Sequence, residues 1–314
     1  MFPIYILAGI YVYNDPFKVA ENYKTYQNIP MELNQNYIGW QTFLNYKDSL
    51  HYDSFILGNS CTIAYPTGLW KKFIGDSEPI RLYGAAESLC AINQKVKRLD
   101  ELGCPIRNAL ILLDYYTLQK IRVHDSHMKV PHPDVTGESP FAFQLKFVAA
   151  FLNPNVLIPY LDFSLFKTYR PYMEGVINTK EINRNQLSND VVNPRELEIS
   201  QKKELYWKDH RNELPERKIK EAYPPIVNGR QKSFLTEIKR VLDKHHTNFR
   251  IIINPEWCQK KMDPRDIIAL KAIFGDDYVF DFSGKNEFTD DYHNYYEEAH
   301  YRPVLGEKIL NIIY

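Results

Sequence analysis

An α/β fold is predicted for this chain: a doubly wound parallel sheet between two helical layers, with the strand order of flavodoxin-like folds. Two observations carry the prediction. Short apolar runs bounded by turn residues alternate with longer stretches whose apolar residues recur every three or four positions, the pattern of strands interleaved with crossover helices. One run, Ala109-Leu110-Ile111-Leu112-Leu113, is apolar at every position, as expected of a strand covered on both faces.

The elements follow in order. Ile4 to Tyr13 is apolar and reads either as a buried strand or packed segment, or as the tail of a membrane anchor or signal; it is well short of the ~20 residues that span a bilayer. Asp15-Pro16 marks a turn, and the polar, aromatic, weakly periodic stretch to Tyr52 is expected to wrap the domain edge. Phe55-Ile56-Leu57 is the first sheet strand, Gly58-Asn59-Ser60 a turn, and Cys61 to Ile74 an interrupted helical stretch. Ile80 to Tyr83 is the next strand. Gly84 leads into a helix whose apolar face is Leu89, Ile92, Val96, Leu99 and Leu102, stopped by Gly103. The strand from Ala109 ends at Asp114. Leu235, Ile238, Val241 and Leu242 form another helical face, followed by a strand from Phe249 to Ile253. Asp263, Pro264 and Asp266 carry helix-start signals, Tyr278 to Phe282 is the last strand, and Pro303 to Tyr314 closes the chain as a helix.

At 314 residues the chain suits one large domain with an insertion. Residues 1–50 form an N-terminal segment, 51–314 the main domain, and about 165–232 a charged insertion rich in Lys, Glu, Arg and Asn; a solvated excursion without a role is the alternative for that stretch. Charged residues make up 25% with formal net charge zero, which supplies no general field for nucleic acid or an anionic membrane. Cys61, Cys90, Cys104 and Cys258 lack metal-ligand spacing and read as free thiols. The 23 tyrosines suit sugar-binding or interface surfaces, and equally a buried aromatic core.

A serine hydroxyl is a poor nucleophile unless a base, a group orienting that base, and oxyanion donors converge on it. Ser60 sits at a strand-to-helix turn, where its hydroxyl stands above the sheet and its own N–H can serve an oxyanion. The turn is not the GxSxG elbow, and taken alone it is an ordinary cap. Near the other end, Glu297 precedes His300 by three residues, a spacing that lets the carboxylate fix the imidazole tautomer; an exposed helical pair is the ordinary alternative.

Together Phe55-Ile56-Leu57-Gly58-Asn59-Ser60-Cys61-Thr62, Leu112-Leu113-Asp114-Tyr115-Tyr116 and Tyr295-Tyr296-Glu297-Glu298-Ala299-His300-Tyr301-Arg302-Pro303 resemble the SGNH/GDSL hydrolase superfamily. The closer resemblance is to its bacterial extracytoplasmic branch of alginate acetylation and teichoic-acid D-alanylation proteins, over about residues 50–120 and 230–314. It implies Ser60 as nucleophile, His300 as base and Glu297 as orienting acid, with Gly84 as second oxyanion contributor. Asn59 and Glu297 stand where the family carries Asp. No Gly-x-Asn-Asp follows the third strand, where Asp114 stands instead: an oxyanion or substrate position in the resemblance, a helix or loop cap on the ordinary reading.

The resemblance implies a serine esterase or O-acyltransferase moving an acyl group, acetyl in the first instance, on a cell-surface polysaccharide. It implies a place in the periplasm or cell envelope, a membrane-bound acyltransferase as partner, no nucleic acid and no cofactor. The alternative is an inactive carbohydrate-binding or assembly protein of the same fold; a cytoplasmic lipase-like esterase ranks below both, for want of an apolar lid in the middle region. Further candidates are a metal site at His124, His127 and His132 with Asp125 and Asp134, against a polar loop, with no metal assigned. Asp290, Asp291 and His293 are substitutes for the acid. Lys202, Lys203 and Lys208 read as a solvated face, and Tyr292, Tyr295, Tyr296 and Tyr301 as a sugar platform or as packing around the last helix.

Overall fold

The computed structural model describes residues 2–179, 183–217 and 222–314. Five strands, β1 (Ser54–Gly58), β2 (Pro79–Tyr83), β3 (Asn108–Leu113), β4 (Asn248–Ile253) and β5 (Val279–Asp281), form an all-parallel sheet in the order β2-β1-β3-β4-β5. This is the expected flavodoxin-like order, which places a topological switch point between β1 and β3. The α-helices of six residues or more among the described residues, in chain order, are α1 (Phe2–Asn14), α2 (Gln35–Leu50), α3 (Thr67–Ile74), α4 (Leu89–Glu101), α5 (Pro140–Leu152), α6 (Pro154–Phe166), α7 (Arg195–Lys202), α8 (Glu204–Asp209), α9 (Gly229–Lys244), α10 (Pro264–Phe274) and α11 (Pro303–Ile313); Tyr115–Gln119 is a shorter helix after β3.

Alternation along the strands divides the core into two layers. Phe55 and Leu57 of β1, Ala109, Ile111 and Leu113 of β3, and Ile251 and Ile253 of β4 pack against α2, α4, α9 and α10. Ile56, Leu110, Leu112 and Ile252, on the other face, pack against Trp70 of α3 and Leu305, Ile309 and Leu310 of α11. Because both faces are covered, the strands are apolar at nearly every position, which is why β3 was legible as a continuous run.

Three features depart from the sequence reading. The N-terminal run is a helix, not a strand: Tyr11 of α1 is buried against Phe151 of α5, while Tyr5, Val12 and Tyr13 stay exposed. No single helix among the described residues is long and apolar enough to cross a membrane. The stretch before Tyr52 contains α2, capped by the Asn34 side chain on the Asn36 and Tyr37 N–H groups and burying Trp40 and Phe43 in the core. Its buried face also holds Asn36, Gln41 and Thr42, which blurs the hydrophobic period. The break in strand-helix alternation begins before residue 165, with α5 and α6. These pass together for an apolar span in length and composition but are bent by 71° at Asn153. They expose Phe141, Leu145, Leu152, Ile158, Leu165 and Phe166. The charged stretch after them is docked, not a free excursion: Ile199, Tyr206 and Trp207 are buried in one cluster with Tyr296. Parts of it, 180–182 and 218–221, lie outside the described residues.

Candidate active site

The position of Ser60 is set by the end of β1. Gly58 has φ 145°, and a Cβ there would meet the Leu112 carbonyl oxygen at 2.9 Å, so the close approach of β1 to β3 requires glycine. Asn59 then caps a 3₁₀ turn, Ser60–Ala64, by accepting from the Cys61 N–H at 2.9 Å. Ser60 is the first residue of that turn, so its N–H has no intrahelical partner. The turn rests on α11 at Gly306, where any Cβ would overlap the Ala64 carbonyl.

His300 comes from a hairpin. Residues 295–297 pair antiparallel with 300–301 around a tight turn at Glu298-Ala299, which sets Glu297 opposite His300. The three-residue spacing is thus a turn crossing, not a helical step. The His300 ring shares its Nδ1 with the Glu297 carboxylate, and its Nε2 lies 2.7 Å from the Ser60 hydroxyl. Glu297 also accepts from the Ala299 N–H at 2.7 Å. Burial pushes the Glu297 carboxyl up, but the bonds and positive charge around it outweigh burial and hold it below the usual carboxylate range.

The charged insertion fixes this hairpin. Trp207 donates its indole N–H to the Tyr295 carbonyl at 3.0 Å, and the Tyr206 hydroxyl donates to the Tyr296 carbonyl at 2.9 Å. Glu298 N–H donates to the Glu213 carbonyl at 3.0 Å, and Arg302 pairs with Glu196 through two bonds of 2.9 and 3.0 Å.

The expected oxyanion residues are otherwise engaged. The Gly84 N–H donates to the Gly58 carbonyl at 3.2 Å, because the β1–β2 ladder runs one residue past the strand ends. The Asn59 amide donates to Asp114 and, at 3.4 Å, to Thr117. Asp114 caps the short helix after β3 by accepting from the Thr117 N–H at 2.7 Å, so the cap reading of this residue describes its contacts. The N–H groups of Ser60 and Ala86 make no hydrogen bond among the described residues. Ala86 has φ 51°, a strained value for a residue with a Cβ.

Two cavities meet at Ser60. The larger, about 650 Å³, is lined by Ser60, His300, Asp114, Tyr116, Tyr223 and Glu256 among others. The smaller, about 260 Å³, is lined by Ser60, Ile63, Tyr83, Ala85, Val191 and Arg184 among others. Glu256 was not singled out in the sequence, although Asn254-Pro255-Glu256 follows β4 at the strand end where such sheets hold ligands. It accepts from the Tyr223 hydroxyl at 2.7 Å; burial, then the Asp114 charge, push its carboxyl up to about 7. Cys61 is free and buried, and burial and the surrounding carboxylates push its thiol up.

The remaining candidates lie with other partners. His124 contacts the Ala86 carbonyl at 3.2 Å, His127 packs edge-on against Phe17 and Phe147, and His132 caps a turn at Asp134 while bonding Gln41. Among the described residues no group of three His, Cys, Asp or Glu side chains is placed to share a metal ion. His293 bonds Asp291 and Glu204, each at 2.7 Å, and Asp290 takes the Gln259 amide. Lys202 pairs with Glu198 and Asp209 on the surface. Tyr295, Tyr296 and Tyr301 are buried in packing, with Tyr295 and Tyr301 also reaching the larger cavity; Tyr292 stacks on His293 at the surface. Comparison of the chain with family models, characterised proteins and solved structures finds no match.

Proposed function

We propose that the protein is a serine-dependent acyl esterase or O-acyltransferase, acting on acetyl or a related acyl group of a cell-surface polysaccharide, as its resemblance to the SGNH/GDSL superfamily implies. The observation that supports this best is the continuous chain Ser60–His300–Glu297 at the C-terminal edge of the sheet, opening on a cavity. Ser60 Oγ attacks the ester carbonyl carbon as its proton passes to His300 Nε2. The tetrahedral oxyanion takes hydrogen bonds from the Ser60 and Ala86 N–H groups. Collapse breaks the bond to the alcohol, which leaves with the proton from His300. Water or a sugar hydroxyl then gives its proton to His300, attacks the acyl-serine, and releases acid or a new ester while Ser60 regains its proton. The same resemblance favours action outside the cytoplasm beside a membrane-bound acyltransferase.

A second reading, a non-catalytic carbohydrate-binding protein of this fold, is favoured by one observation: the Gly84 N–H and the Asn59 side-chain amide are already engaged, and Asp114 brings a carboxylate where an oxyanion would need a donor. Hydrolysis of 4-nitrophenyl acetate, with and without acetylated or free oligosaccharides, separates the two. The catalytic reading expects turnover that falls by about 10³-fold or more in Ser60→Ala and in His300→Ala. Acetyl recovered on sugar marks a transferase, and acetate alone an esterase. Oligosaccharide binding without turnover by either route favours the second reading.

A further inference from the structure

The smaller cavity at Ser60 borders a third, of about 400 Å³: the two share Gln35, Asn178 and Arg184 on their walls. Two unusual groups line this third cavity. Arg184 is only 4% exposed, yet among the described residues its guanidinium meets no carboxylate: its bonds go to the amide oxygens of Asn189 and Gln35. A guanidinium has five N–H donors, so most of its capacity is unspent. Tyr26, 6% exposed, lines the third cavity, and among the described residues its buried hydroxyl has no hydrogen-bond partner. A buried cation without an anion and a buried hydroxyl without a partner are each costly unless a ligand completes them.

The chemistry assigns the direction of the substrate. His300 returns its proton to the departing alcohol, so the alcohol lies on the His300 side, in the larger cavity. The acyl chain leaves the carbonyl carbon on the opposite side, toward Ile63, Tyr83, Ala85 and Val191. Those walls suit methylene groups, and Arg184 lines the same cavity. The space before Arg184 corresponds to roughly eight or nine waters, far more than an acetyl methyl fills.

We propose that the groove beyond Ser60 binds the acyl chain of a short dicarboxylic acid monoester, with its free carboxylate received by Arg184 and Tyr26. This rests on Ser60 acting as the nucleophile, and extends that reading from acetyl to a succinyl-like acyl group.

The test compares benzyl acetate, benzyl butyrate and monobenzyl succinate, following benzyl alcohol, with wild type, Tyr26→Phe and Arg184→Gln. Butyrate and hemisuccinate differ mainly in a terminal methyl against a carboxylate. The expected result is a kcat/KM for hemisuccinate about ten- to a hundredfold above that for butyrate, the range of one charge-assisted hydrogen bond. Tyr26→Phe, which removes an unpartnered hydroxyl and should fold well, lowers that preference about fivefold, mainly through KM, and Arg184→Gln abolishes it. Equal rates for butyrate and hemisuccinate that neither variant changes overturn the proposal. Calorimetric binding of monobenzyl succinate to the Ser60→Ala protein separates the two readings. Binding that needs Tyr26 and Arg184, without wild-type turnover of any ester, sinks the nucleophile and keeps the groove; neither binding nor turnover sinks both.

Discussion

Glu256→Gln tests the electrostatics of the larger cavity. Glu256 is half-buried beside Asp114, and its carboxyl is raised from an ordinary 4.5 to about 7. A group raised on folding contributes stability below its unfolded pKa and loses it as pH rises through the folded one. Across that interval of about 2.5 units, at about 1.4 kcal/mol per unit, ionising Glu256 costs the folded state roughly 3 kcal/mol by pH 8.5. Gln keeps an oxygen for the Tyr223 hydroxyl and never ionises. The variant should therefore match wild type at pH 4 and melt roughly 4 to 6 °C higher at pH 8.5, at about 1.5 °C per kcal/mol for a chain of this size. Scanning calorimetry at the two pH values measures this. A gain of the same size at both pH values, or a loss at pH 8.5, would refute the reasoning.

Three further outcomes follow from the packing. Gly306→Ala drives a methyl into the Ala64 carbonyl and should cost about 1–3 kcal/mol in urea unfolding while slowing acylation of Ser60, because α11 carries the turn that begins with Ser60. Trp207→Phe deletes the indole donor to the Tyr295 carbonyl; it should lower kcat about tenfold with little change in KM, since the hairpin and not the cavity is loosened. His132 is held at about 4 by burial, so the folded state loses stability as pH falls from 6.5 toward 4, by about 3 kcal/mol in all. His132→Asn keeps an acceptor for the Asp134 N–H and should flatten that acid limb, as followed by urea midpoints at pH 7, 5 and 4.

The sheet and its crossover helices were legible because each strand is covered on both faces and each helix on one, so burial wrote itself into the apolar pattern. Helix α2 was not, because Asn36, Gln41 and Thr42 are buried in polar contacts on its inner side. Helices α5 and α6 were passed over for the opposite reason: with apolar residues on most sides, they show no clear amphipathic period. The pairing of Glu297 with His300 was visible as a spacing, but the hairpin that creates it depends on Trp207, Tyr206 and Glu213, far off in a stretch whose composition looks solvated. Gly84 failed as a donor through a single backbone bond to Gly58 that no side chain announces. Arg184, in a two-residue strand paired with Val191–Val192, and Tyr26, in a loop, lie far apart in sequence, and only the fold brings them to one cavity.

The central claim is that Ser60 is a nucleophile activated by His300. Intact-mass spectrometry after incubation with a fluorophosphonate, comparing wild type with Ser60→Ala and His300→Ala, tests it most directly. The expected result is one covalent adduct in wild type, none in Ser60→Ala, and strongly slowed labelling in His300→Ala. No adduct in a well-folded wild-type sample, or labelling that survives loss of Ser60, would contradict it.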